Sequence, residues 1–184
     1  MRITGGSLKG NRITVPPSSM EIRPSMDRMR ESVFGILCDL TGLSFLDIFT
    51  GSGIIALEAA SRGAVNIEAV EQDKQKRKIL LENVSISPVR INCRFMPAEL
   101  YVKRAKSSFD IIFLDPPFPY LYKWELVENI TTSALVKNGT KILIHRPRPD
   151  YLKTDIPNLV KFDSREYGRS VVDFFEITLN QSAN

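Results

Sequence analysis

The chain has 184 residues and a net charge of +4, with 43% apolar and 25% charged residues. That length suits one domain able to bury a sizeable core, and the balance is globular. No apolar run is long enough to span a membrane, and the opening MRITGGSLKG lacks the apolar stretch of an export signal, so a soluble, cytoplasmic, membrane-free protein is expected. Cys38 and Cys93 lie far apart with no histidine or further cysteine at ligand spacing, which predicts buried free thiols and no metal. The small basic excess permits an anionic partner without requiring one.

In chain order, residues 1–43 read as an extension on a core at 44–184. The stretch RITGGSLKGNRITV predicts two short strands around glycines, ended by Pro16 and Pro17. In SMDRMRESVFGILCDL, residues 25–40, Met26, Met29, Val33, Ile36, Leu37 and Leu40 recur at helical spacing and define one apolar face. Arg28 points nearly opposite that stripe and Arg30 sits on its flank. From residue 44, apolar strands alternate with amphipathic segments: strands are expected at 44–49, 66–70, 90–95, 109–115 and 141–145, with crossover helices at 53–63 and 73–85. That alternation predicts an α/β fold with a mostly parallel sheet. The tail, 159–179, holds two strand-like runs around EYGRS, an antiparallel hairpin that closes the sheet.

The first core strand ends in DIFTGSGIIA, with Asp47, Phe49, Gly51 and Gly53 at the turn into a helix. Glycines there allow a tight turn and a close approach of ligand to backbone. Glu71 follows at the end of the second strand, twenty residues after Gly51, where a carboxylate can accept the protons of two ribose hydroxyls. A triphosphate is disfavoured because no GxxxxGK[ST] occurs. A dinucleotide fits the glycines but gives no reason for the diproline in FLDPPFPY, residues 113–120. S-adenosylmethionine accounts for both.

Asp115 stands after the fourth core strand, at the carboxyl edge where doubly wound sheets bind ligands. The exocyclic amine of a base is a poor nucleophile because its lone pair is delocalised into the ring. Asp115 and the carbonyl of Pro116 can each accept one of its N–H groups, aiming the lone pair and stabilising the positive charge that grows on nitrogen. Pro116 and Pro117 stiffen the loop and offer no competing N–H, and Phe118 can stack on the base. The alternative is a strand-terminating turn with Phe118 in the core.

Taken together, RITGGSLKGNRI, RPSMDRMRESVFGIL, LDIFTGSGIIALEAASRGA, VEQD, LDPPF and EYGRSVVDFFE resemble the RsmD-type 16S rRNA guanine-N2 methyltransferases, of the Rossmann-like class I S-adenosylmethionine-dependent fold. The resemblance implies a seven-stranded sheet and methyl transfer to the N2 amine of one guanine in small-subunit rRNA, within an assembling particle, by a monomer. It places Asp47, Phe49, Gly51, Gly53, Glu71, Gln72, Ala98 and Asp115 on the cofactor, Asp115, Pro116, Pro117 and Phe118 on catalysis, and Arg23, Arg28 and Arg30 beside the RNA. Pro97 stands where the family usually has an acid facing the adenine amine, leaving the backbone near Ala98 and, weakly, Glu99. His145 stands near a position more often acidic, and with no carboxylate partner evident in the sequence it reads as structural. The rival readings are an adenine-N6 methyltransferase and an assembly factor that binds the cofactor without turnover.

Overall fold

The computed structural model describes residues 1–15 and 24–179. Seven strands form one sheet in the order β3-β2-β1-β4-β5-β7-β6. They are β1 (Ser44–Ile48), β2 (Asn66–Val70), β3 (Ile91–Arg94), β4 (Ile111–Leu114), β5 (Lys141–Pro147), β6 (Leu159–Tyr167) and β7 (Ser170–Ile177). The first five run parallel, whereas β7 inserts antiparallel between β5 and β6. All four residues of β4 are buried, as a central strand covered on both faces requires. The hairpin expected in the tail is β6–β7, turning at Gly168 and Arg169 between the paired Tyr167 and Ser170.

Alternation along each strand sends side chains into two apolar layers. On one face Phe45, Ile67, Phe113, Leu143, Val172 and Phe174 pack with α1 (Pro24–Leu37) and α2 (Ile54–Ser61). On the other, Leu46, Ile112, Leu114, Ile142, Ile144 and Phe175 pack with α4 (Ala98–Arg104) and α5 (Lys123–Thr131). Helices α4 and α5 are absent from the expected elements. Their apolar signals are short, chiefly Tyr101 with Val102 and Leu126 with Val127 and Ile130. The helix expected at 73–85 is a 3₁₀ turn, Lys74–Lys76, followed by α3 (Arg77–Val84).

The extension is part of this packing. Met29, Val33, Leu37 and Leu40 are buried as the helical spacing predicts, and Phe34, outside that stripe, is buried too and stacks on Phe45 at 6.1 Å between ring centroids. Helix α1 ends at Leu37, short of the expected residue 40, because Cys38 takes a left-handed conformation, φ 60°, and its N–H bonds back to the Phe34 carbonyl. Cys38 is exposed, not buried as expected. In place of two N-terminal strands there is a single antiparallel bridge, Arg2 with Arg12. That turn is tied to the end of α2: Ser7 N donates to the Ser61 carbonyl at 2.7 Å, and Ser61 Oγ donates to the Gly5 carbonyl at 2.6 Å.

Candidate active site

The carboxyl ends of β1, β2, β4 and β5 meet at one edge of the sheet. After β1, Phe49, Gly51 and Gly53 alternate in the left-handed region, with φ 66°, 56° and 83°. Phe49, unlike the two glycines, pays a steric penalty at positive φ, so its conformation is backbone strain held by its surroundings. A Cβ on Gly53 would lie 2.8 Å from Leu80 Cδ1 and 3.1 Å from Val84 Cγ1, whereas one on Gly51 would enter open space, with nothing nearer than the Phe49 carbonyl at 4.0 Å. Gly53 is therefore needed for packing against α3, and Gly51 leaves a cradle over the loop.

Carboxylates hold this loop from beneath. Asp47 is fully buried; its Oδ2 accepts from Thr50 Oγ1 and from Ala56 N at 3.1 Å, while its Oδ1 has no partner among the described residues. Burial, followed by the charges of Asp115 and Glu71, pushes its pKa up to about 8, against the lowering effect of the Thr50 and Ala56 bonds. A ligand bearing a cationic amino group would satisfy the bare oxygen and restore its charge, and the amino-acid part of S-adenosylmethionine has such a group. Glu71 Oε2 accepts from Gly51 N at 3.0 Å and lies 3.5 Å from Lys76 Nζ, and its Oε1 accepts from Asp73 N at 2.9 Å. Each carboxylate oxygen offers two lone pairs, so Oε1 retains acceptor capacity for a hydroxyl. Gln72 beside it is exposed, and Ala98 is buried at the start of α4. These residues fit the proposed ligand.

Asp115 follows β4, its N–H donating to the Ile48 carbonyl at 3.1 Å, which sets it directly beside the glycine loop. Pro116 is buried and Pro117 exposed, and Tyr120 N closes a turn onto the Pro117 carbonyl at 2.8 Å. Phe118 is 47% exposed, so the alternative that placed it in the core does not hold. Tyr120 leans on Phe49, with ring centroids 5.2 Å apart, and its hydroxyl donates to Glu99. Glu99 is thereby tied to the diproline loop. His145, on β5, does have a carboxylate partner: its Nδ1 lies 2.8 Å from Asp115 Oδ1. The sequence separation of 30 residues between them is invisible to local pattern, and only the parallel β4–β5 register brings them together. Thr50, Lys76 and Tyr120 were also missed: Thr50 and Lys76 lie only three and five residues from the acids they bond, but no motif marks those spacings, whereas Tyr120 meets Glu99 across 21 residues.

The three arginines expected at RNA separate. Arg23 lies outside the described residues. Arg28 is exposed. Arg30 is 1% exposed and pairs with Asp27 at 2.6 Å and with the fully buried Glu58 of α2 at 3.5 Å, donating also to the Arg2 carbonyl at 3.0 Å. Its flank position on α1 turns it inward, so Arg30 pins the extension to the core and is not available to a phosphate.

The strand order and the site at the carboxyl edge define a Rossmann-like class I methyltransferase fold. The solved structure of yhhF from Escherichia coli superposes with a TM-score of 0.85 at 25% identity, covering 97% of this chain and 98% of that one. The family described as Conserved hypothetical protein 95 matches residues 1–176, and the chain belongs to it, the RsmD-type family. Two curated relatives bear the name Ribosomal RNA small subunit methyltransferase D. The protein of Escherichia coli K12 is 33% identical over 121 residues, 64% of this chain and 60% of its own length. That of Haemophilus influenzae is 32% identical over 164 residues, covering 84% of this chain and 82% of its own. The aligned segment thus spans less than two thirds of the Escherichia coli relative.

Proposed function

We propose that the chain transfers a methyl group from S-adenosylmethionine to the exocyclic N2 amine of a guanine in 16S rRNA, in the cytoplasm and within an assembling small subunit. The observation that carries this is the Asp115 carboxylate beside a glycine loop whose buried Asp47 has one oxygen, Oδ1, without a partner among the described residues. The names borne by the family relatives supply the rRNA substrate. When bound, S-adenosylmethionine would supply the methyl on a sulfonium, with a neutral thioether as the leaving group that keeps the C–S electron pair.

The chain's own residues do the rest. Asp47 and the Gly51–Gly53 loop hold the amino-acid end, and Glu71 accepts from the ribose. Asp115 Oδ2 and the Pro116 carbonyl accept the two amine protons, which orients the nitrogen lone pair and offsets its developing charge. One of those protons then leaves through Asp115 to solvent. Phe118 covers the base, a contact worth roughly 1–3 kcal/mol. No helix among the described residues is long and apolar enough to cross a membrane. Mass spectrometry of nucleosides from small-subunit rRNA, from cells with and without the protein, tests the proposal. One N2-methylguanine site disappears if it is right; loss of N6-methyladenine instead supports the rival clamp, and unchanged rRNA refutes both.

A further inference from the structure

The chain's one histidine is 6% exposed and touches both side chains that face the acceptor base. Its Nδ1 meets Asp115 Oδ1 at 2.8 Å, and its ring meets Phe118 edge-on with centroids 5.7 Å apart. Its Nε2 is buried with no partner among the described residues. One tautomer suits these surroundings. With the proton on Nδ1, the ring donates to the carboxylate and leaves only a lone pair unsatisfied at Nε2, whereas the reverse would bury an unpaired donor. A histidine serving as core filler has no need to turn its polar edge onto the one acid of the diproline loop.

We infer that His145 is a positioning residue for methyl transfer: its Nδ1–H holds Asp115 Oδ1 so that Oδ2 is presented to the acceptor amine, and protonation of the ring switches the clamp off. The inference rests on Asp115 being the amine acceptor. The Asp115 side chain is 29% exposed and would otherwise rotate freely about its carboxyl torsion. Bonding one oxygen removes that freedom and leaves the other as an acceptor. A cationic ring would instead pair with the carboxylate and draw off the charge that stabilises the amine in the transition state.

The groups around His145 are few. Asp115 faces it from the end of β4, and Asp47 shares the same sheet face from β1. Across β7 its register partner is Val172, and beyond it in the same row stands Arg165 of β6, paired with Asp163 at 3.0 Å. Arg146 and Asp173 alternate to the opposite face and pair with each other at 2.6 Å. From α1, Arg30 is engaged by Asp27 and Glu58. Burial lowers the His145 pKa, but the charge and hydrogen bond of Asp115 outweigh it and hold it above the ordinary histidine value. The ring is therefore cationic below that raised pKa, and the rate falls as pH drops through it.

A single imidazole gives an unambiguous nitrogen NMR signal. It should report the Nδ1-protonated tautomer, with a titration midpoint that falls in Asp115→Asn. Methyl transfer to rRNA is then followed against pH at saturating S-adenosylmethionine, with melting curves for each variant. His145→Ala should lose about tenfold or more in kcat with KM for RNA and cofactor affinity held within about twofold. In His145→Asn the amide nitrogen takes the place of Nδ1; it should recover most of kcat and lose the acid limb. A midpoint indifferent to Asp115→Asn, an acid limb kept by His145→Asn, or a fully active His145→Ala overturns the inference. If His145→Ala fails to fold, His145→Asn and the NMR titration decide. A wild-type protein that methylates no rRNA refutes the functional reading, whereas an active wild type with a pH profile untouched by His145→Asn refutes only this one.

Discussion

Asp115 and Glu71 stand at strand ends on either side of β1 but are engaged differently. Asp115 makes one side-chain bond among the described residues, to His145, and has an oxygen to spare. Asp115→Ala should therefore cost about a hundredfold or more in single-turnover rate, with S-adenosylmethionine affinity within a few fold by calorimetry. Normal turnover would remove the clamp. Glu71 is already bonded to Gly51 N and Asp73 N, so it shapes the glycine loop in addition to the ribose contact proposed for it. Glu71→Ala should weaken cofactor binding, each lost bond to the charged group costing roughly 1.5–3 kcal/mol, with chemistry recovered at saturation. An unchanged titration would place the cofactor elsewhere. At this scale the types of residue were legible in the sequence, since DIFTGSG, Glu71 and DPPF name their chemistry. The partner of His145 was not, because a contact across two parallel strands leaves no mark on local spacing.

The β1–α2 turn is the element on which the proposed cofactor binding and stability can be told apart. A methyl on Gly53 would strike Leu80 and Val84 of α3 at a φ of 83°, whereas one on Gly51 would project into open space. Gly53→Ala should thus lower the melting temperature, at a cost of roughly 1–3 kcal/mol, by forcing α2 and α3 apart. Gly51→Ala should cost less stability, about 1–2 kcal/mol for its left-handed backbone, yet lose cofactor affinity by filling the cradle. Thermal melts paired with cofactor titration separate the two, and a Gly51→Ala variant with native affinity would show that the ligand does not lie over that residue. Among elements, β1 to β5, α2 and the tail hairpin were readable because their apolar runs or glycine stops are strong. Helices α4 and α5 were not, since α4 buries only Ala98, Tyr101 and Val102, and the buried face of α5 mixes Leu126, Val127 and Ile130 with the polar Lys123 and Thr131.

Across the whole molecule, the extension is joined to the core by a buried ionic cluster. Glu58 of α2 receives Thr4 N at 2.6 Å, Arg30 at 3.5 Å and Arg62 at 3.4 Å, so residues far apart in the chain share one carboxylate. Arg30→Ala leaves that buried charge under-compensated and should cost about 3 kcal/mol, or roughly 6–12 °C in Tm. Its effect on RNA binding should show no change in salt dependence. Arg28→Ala should do the reverse, sparing Tm and lowering the log-log salt slope by roughly 0.7–0.9 for one lost phosphate contact. Melting curves and RNA affinities at several salt concentrations check both, and an unchanged slope for Arg28→Ala would remove it from the RNA path. By itself the sequence determined the sheet, the glycine loop with its acid, the diproline loop and the family, because period, turn residues and motif spacing are local and survive reading in one dimension. Only the tertiary structure decided that Arg30 is a core ion pair, that Phe118 is exposed, and that His145 meets Asp115. Burial and cross-strand partnership depend on which distant segments fold together, and no residue carries that information alone.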